Sequence, residues 1–267
     1  MKHSKKALFG SMTFVLAMVL LGSCVQPTTE KAALTSLDKE LKEIRPGYLE
    51  GYLPPEQMPN SLLLIPPPPE EGSAAYALDM EMAAKFVAME DEARKEQAAI
   101  DANLHFPEAT DAFNSVLEMK ISKESTPMAY MILRRTLADA GLSTYVAKNH
   151  YKRARPFMVN GSPTCSPEDE EALREDGSYP SGHTAIGWAW ALILTELFPD
   201  QADEILERGK QYGISRNVCN VHWHSDVLAG RMMGAAAVAR LHANADFLID
   251  MAAAKKELAA LEAQGML

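Results

Sequence analysis

Several features that would fix a functional class at once are scarce or missing in this chain. Basic residues are outnumbered: 26 Lys+Arg stand against 36 Asp+Glu, a formal charge of −10. A body of that sign lacks the basic footprint that nucleic acid demands, so no nucleic acid partner is expected. Cysteine occurs only three times, at Cys24, Cys165 and Cys219, which allows one intramolecular disulfide at most. Beyond residue 24 there is no stretch of eighteen uninterrupted apolar residues, so the body offers no candidate membrane span. No internal repeat stands out, and no run of alternating β-branched residues argues for a sheet. The remainder is ordinary globular material, 47% hydrophobic and 23% charged with 16 Pro and 15 Gly, sufficient for one sizeable core.

The N-terminus reads differently. Lys2, Lys5 and Lys6 precede an apolar stretch from Ala7 to Leu21, a charged n-region and an h-region too short for a comfortable span. Leu21-Gly22-Ser23 before Cys24 resembles the lipobox of bacterial lipoproteins, whose cysteine becomes the acylated first residue. The resemblance implies an exported bacterial protein, periplasmic or at the cell surface, that meets a membrane only through an anchor at Cys24. On this reading residues 1–23 are a signal peptide, 24–50 a tether and 51–267 the body. Processing lowers Lys+Arg from 26 to 23 and takes the formal charge from −10 to −13. Cys165 and Cys219 then sit in an oxidising compartment, as a disulfide or as two buried thiols.

Residues 27–73 are proline-rich and should be extended or loop. From Ala74 the pattern turns helical. Helices are expected over Ala74–Ala102, over Pro127–Leu142 with Pro at its first turn, and over Ser143–Arg153, stopped by Pro156. Thr184–Phe198 is apolar nearly all round and should be central. Gln201–Tyr212, Ser225–Ala243 and Ala245 to about Ala263 complete an all-α, single-domain bundle.

Three clusters interrupt this helical background. In KNHYKRARP, Lys148 and Arg155 are seven apart and would share one face of a helix. In GSYPSGHTAIGWAW, Pro180-Ser181-Gly182-His183 opens the apolar helix, where unpaired N–H groups and the macrodipole make an anion seat. Ser181 alone would also serve as an ordinary cap. In SRNVCNVHWHSD, His222 and Asp226 are four apart. His222 and His224 cannot form a helical metal pair, because residues two apart face about 200° apart. His105, His150 and His242 have no partner pattern and read as surface or structural. Lys152 and Arg153 read as a solvated helix face. The acidic stretch Ser166–Ser178 reads as a solvated loop or short helix, or else as a rim that repels polyanions. Met80, Met82 and Met89 read as filler.

Together these residues resemble the signature of the acid phosphatase and vanadium haloperoxidase superfamily: Lys, six residues, Arg-Pro; then Pro-Ser-Gly-His; then Ser-Arg, five residues, His, three residues, Asp. Lys148, Arg155-Pro156, Pro180 to His183, Ser215-Arg216, His222 and Asp226 match every position. The segments YLPPEQMPNSLLLIPPPP, QAAIDANL and HWHSDVLAGR extend the resemblance to the secreted bacterial class A non-specific acid phosphatases. It implies attack on phosphorus by His222, orientation of that ring by Asp226, and proton donation by His183. Lys148, Arg155, Ser181, Gly182 and Arg216 would bind the phosphoryl group. It implies no metal and no cofactor, small phosphomonoesters as substrates, and often a homo-oligomer. Three fixed cations suit the charge of a phosphate monoester, and two histidines suit attack and leaving-group protonation, on the acid side of neutrality. A vanadium haloperoxidase, a membrane lipid phosphatase and a non-catalytic anion-binding lipoprotein are the alternatives.

Overall fold

The structure, a computed structural model, describes Met1 and residues 33–265. The expected signal peptide, lipobox and Cys24 lie outside the described residues. The described residues from Ala33 onward form one compact unit, built almost wholly from helices. A short antiparallel hairpin, β1 (Glu43–Arg45) and β2 (Tyr48–Leu49), comes first. Then follow α1 (Ser61–Leu64), α2 (Ala74–Val87), α3 (Glu92–Ile100) and α4 (Asp111–Asn114). The middle of the chain forms α5 (Pro127–Leu142), α6 (Tyr145–Tyr151), α7 (Pro156–Asn160) and α8 (Glu170–Glu175). The long helices α9 (Gly182–Leu197), α10 (Ala202–Val218), α11 (His224–Leu241) and α12 (Ala245–Glu262) end it.

The apolar α9 is the central rod, with α5, α10 and α11 packed around it. Trp190 is fully buried on it and gives its indole N–H to the Leu133 carbonyl of α5 at 3.0 Å. The approach of α10 is close: a Cβ at Gly187 would run into the Tyr212 ring. That contact needs a residue without a side chain, since packed interiors have no slack for an added methyl.

Three expectations change. The single helix over Ala74–Ala102 is two helices, because Asp91 leaves the helical conformation and its carboxylate caps α3 by accepting the Arg94 N–H at 3.0 Å. The helix expected to stop at Tyr212 runs on to Val218, its flanks covered by α2 and α3, so Ser215 and Arg216 are helical. The segment expected as tether up to residue 50 belongs to the body from Ala33 onward. Ser36 is buried and gives its backbone N–H to Asp250 at 2.9 Å, while Tyr48 and Leu49 are buried beside the core. The Asp139 carboxylate then fixes the chain at the old boundary, accepting the N–H groups of Tyr52 and Leu53 at 2.9 and 2.8 Å.

Candidate active site

Lys148 and Arg155 do meet, but not along one helix. The α6 helix ends at Tyr151, and Lys152 turns the chain through a left-handed conformation, φ 44°. Arg155 follows in an extended conformation at the head of α7. The reversal brings both cations to one carboxylate: Asp176 Oδ2 accepts from Lys148 Nζ and from Arg155 Nη2, each at 3.0 Å. Asp176 comes from the acidic stretch expected to be solvated. The rest of that stretch is largely exposed, but this residue turns inward. Arg155 is further pinned by the carbonyls of Leu173 and Val221, at 2.8 and 3.0 Å.

The start of α9 faces these cations. Ser181 caps the helix, its oxygen accepting the Thr184 N–H at 3.2 Å and the Thr184 hydroxyl at 2.9 Å. Those bonds leave the Ser181 proton itself to donate. A Cβ on Gly182 would lie in ordinary contact with Thr144 Oγ1 and Lys148 Cε, at 3.5 and 3.8 Å, so this glycine sits directly beside the lysine side chain. His183 places Nε2 3.1 Å from the Ala102 carbonyl. A carbonyl only accepts, so Nε2 carries the hydrogen and Nδ1 is left for proton exchange.

The loop between α10 and α11 supplies the other histidine. Asn220 takes a left-handed conformation, φ 59°, and is tied to Asn160 by mutual side-chain bonds at 2.9 and 3.0 Å. Asn217 holds the His222 carbonyl at 2.9 Å. The His222 ring lies between Asp226 Oδ2, 3.3 Å from Nδ1, and Arg155 Nη1, 3.2 Å from Nε2. With Nδ1–H directed at the carboxylate, the Nε2 lone pair faces the guanidinium. Asp226 is both a first-turn helix carboxylate and the partner of His222, since Oδ2 also accepts the Trp223 N–H at 2.8 Å. Cys165 and Cys219 are joined in a disulfide, Cα atoms 4.7 Å apart, which ties the acidic segment to the end of α10.

Lys148, Arg155, Gly182, His183 and His222 line a cavity of about 460 Å³, with Ile44, Leu142 and Tyr145 among its apolar walls. His183 also lines an adjoining cavity of about 750 Å³ that holds Arg216, Ser166 and Asn103. Arg216 is 1% exposed, and its Nε finds no hydrogen-bond partner among the described residues. A buried guanidinium with spare donors is built to meet an anion.

Burial dominates the proton equilibria. It pushes Lys148 down to about 8, helped by Arg155, and Arg216 down to about 10. Burial, with the charge of Arg216 next, holds His183 well below the ordinary histidine range; His222 is held down by burial and then by Arg155. Burial raises Asp226, against the pull of Arg153. Both rings are therefore neutral in this cationic setting.

The other candidates fall elsewhere. His242 pairs with Glu196 at 2.7 Å and His150 packs edge-on against Tyr151. His105 packs against Tyr48 and lines the second cavity. Among the described residues no group of three or more His, Cys, Asp or Glu could hold a metal ion. Arg153 is not on a solvated face: its side chain is 11% exposed and bonded to Asp79 and Asp226. Its partner Asp79 lies 74 positions earlier on α2, which local pattern reading does not reach.

The family model described as "PAP2 superfamily" matches residues 129–248. A "Non-specific acid phosphatase" of Providencia stuartii is 43% identical over 212 residues, 79% of this chain and 86% of the relative. Another of Salmonella typhimurium is 42% identical, covering 76% of this chain and 82% of the relative. Among solved structures, a transmembrane PAP2 type phosphatidylglycerolphosphate phosphatase from Bacillus subtilis is similar over 63% of this chain and 84% of its own, at 16% identity and TM-score 0.44.

Proposed function

Because the chain belongs to the bacterial non-specific acid phosphatases of the PAP2 superfamily, we propose that it hydrolyses a broad range of small phosphate monoesters through a phosphohistidine on His222. One observation carries the reading: a histidine with Nδ1 against a buried carboxylate and Nε2 against Arg155, at the wall of a cavity lined by cations.

Lys148, Arg155 and Arg216 bind the phosphoryl oxygens, the arginines through paired donors, joined by the Ser181 hydroxyl and the N–H groups at the mouth of α9. The His222 Nε2 lone pair attacks phosphorus as the bond to the leaving oxygen breaks, and His183 gives that oxygen a proton. Charge spreading over the peripheral oxygens is met by cations already in place. Water then attacks phosphorus, the P–N bond breaks, and His183 takes the water proton. An alcohol in place of water gives transphosphorylation. Nothing in this sequence of steps calls for a cofactor.

The test is rapid quench into alkaline detergent, in which a P–N bond survives, with a ³²P-labelled monoester. Wild type yields an acid-labile phosphoenzyme, whereas His222→Asn yields none and loses turnover of p-nitrophenyl phosphate by at least about 10³-fold. A phosphoenzyme that survives His222→Asn overturns the reading.

The same proposal includes export and acylation at Cys24. No helix among the described residues is long and apolar enough to cross a membrane. Labelled palmitate entering the wild type but not Cys24→Ala tests the anchor.

A further inference from the structure

We propose that Arg153 is a positioning residue for this reaction: together with Asp79 it fixes the Asp226 carboxylate, and through that carboxylate the tautomer and aim of the His222 ring. The inference rests on the phosphohistidine reading.

Arg153 lies between Lys148 and Arg155 in sequence, yet it does not join the cavity lining. Its guanidinium is wedged between two carboxylates that are almost fully buried. Nη1 donates to Asp226 Oδ1 at 2.7 Å and to Ser225 Oγ at 2.8 Å, and Nη2 donates to Asp79 Oδ2 at 2.7 Å. Asp79, 1% exposed on α2, also accepts the Ser225 N–H at 2.8 Å and the Ser225 hydroxyl at 2.6 Å. The Trp223 ring lies alongside, 5.3 Å from the guanidinium carbon. Oδ1 of Asp226 is held by Arg153, while Oδ2 takes the Trp223 N–H and faces His222. The Ser178 side chain also bonds this carboxylate and the Ser178 backbone bonds the His222 ring, so Arg153 acts beside a second support.

The charge arrangement gives the contact a chemical purpose. A carboxyl with no exposed surface favours its neutral form unless a cation sits against it. Arg153 is the cation in direct contact with Asp226. Lys148 and Arg155 face it from the cavity side and are both drawn to Asp176, and Tyr179 faces it from the segment before α9. A neutral Asp226 would be free to donate its own proton to Nδ1, which moves the ring hydrogen to Nε2 and removes the attacking lone pair. Arg153 prevents that exchange by holding Asp226 as an acceptor. Asp79 serves by aiming Arg153 and by tying Ser225, at the start of α11, to α2.

The test compares Arg153→Gln, Arg153→Lys and Asp79→Asn with wild type in the full chain. Two readouts are taken: kcat and KM on p-nitrophenyl phosphate, and ¹⁵N spectra of the His222 ring, assigned by its loss in His222→Asn. Arg153→Gln is expected to lower kcat by about a hundredfold while KM and inhibition by inorganic phosphate stay near wild type, because the anion-binding cations are untouched. Arg153→Lys restores part of kcat, and Asp79→Asn shows a smaller loss. The wild-type ring is protonated at Nδ1, and in Arg153→Gln it becomes a tautomer mixture. A folded Arg153→Gln with a wild-type tautomer and kcat within about twofold of wild type overturns the inference; so does a KM that rises in step with the fall in kcat. An inactive wild type would remove the phosphatase reading alone, and the tautomer spectra would still decide the role of Arg153.

Discussion

Asp176 holds the two cations to which the proposed function assigns the phosphate, so on that proposal replacing it by asparagine should strengthen anion binding. Asp176 Oδ2 lies 3.0 Å from both Lys148 Nζ and Arg155 Nη2. Two unit charges at that separation attract by about 1.4 kcal/mol even in the dielectric of bulk water, and by more where protein replaces solvent. The carboxylate is 34% exposed, so the water-like end of that range applies, and one such contact is the reasonable measure of what a phosphate oxygen must displace. That is a factor of about ten. Asp176→Asn keeps the shape and a hydrogen-bonding oxygen but removes the charge. The assay is competitive inhibition by inorganic phosphate, with p-nitrophenyl phosphate as substrate at fixed pH. The inhibition constant should fall about tenfold, and the gap between variant and wild type should narrow as salt is raised. An inhibition constant that is unchanged or weaker would refute competition. It would mean that Asp176 organises Lys148 and Arg155 and stays with them when the anion binds.

Two further outcomes follow from the site and its staple. In the free enzyme burial and Arg216 keep His183 neutral, whereas a bound phosphate offsets the surrounding positive charge and lets the ring keep a proton. The alkaline limb of kcat should therefore lie at higher pH than that of kcat/KM; coincident or reversed limbs would contradict this. The Cys165–Cys219 disulfide closes a separation of 54 residues, worth about 4 kcal/mol by the loop-entropy estimate. Cys165→Ser with Cys219→Ser should lower the unfolding free energy toward that amount in denaturant titration, and an unchanged midpoint would argue that the acidic segment is held by other contacts.

That the site residues gather was legible because the motif spacings single them out. Lys148, Arg155, His183, Arg216 and His222 all line the two adjoining cavities. The way the chain brings them together was not legible. A shared helix face predicted the meeting of Lys148 and Arg155, but the turn at Lys152 produces it, and a lysine at positive φ carries no glycine or asparagine to announce it. Asp176 is one of six acids between Glu168 and Asp176, with nothing in its neighbours to single it out. Arg153 depends on Asp79, a partner on a distant helix. The break before α3 was readable, by contrast, since Asp91 ahead of Glu92 is an N-cap pattern that the run of helix formers concealed.

The depressed histidines pose a problem that the architecture itself resolves. His222 needs a lone pair, and a cationic, buried surrounding supplies it by expelling the proton. His183 needs a proton, and the same surrounding expels that one too. A fixed local carboxylate beside His183 would reconcile the two, but its nearest polar partner is the neutral carbonyl of Ala102. Asp176 in the first cavity and Glu168 and Asp169 in the second do not offset the cations at the ring, so the proposed mechanism looks to the substrate for the added negative charge. A phosphate monoester carries about two negative charges. Bound among Lys148, Arg155 and Arg216, it cancels the repulsion that keeps His183 neutral. His222 is shielded from the same effect, because Asp226 already occupies its Nδ1 side and its Nε2 is committed to phosphorus. The net acidity of the rest of the chain costs nothing, since the working field is set within a few ångströms of the cavity. On the proposed mechanism, protonation of the leaving group then waits for a phosphoryl group to arrive, and one anion seat can hold two chemically equivalent rings in opposite roles.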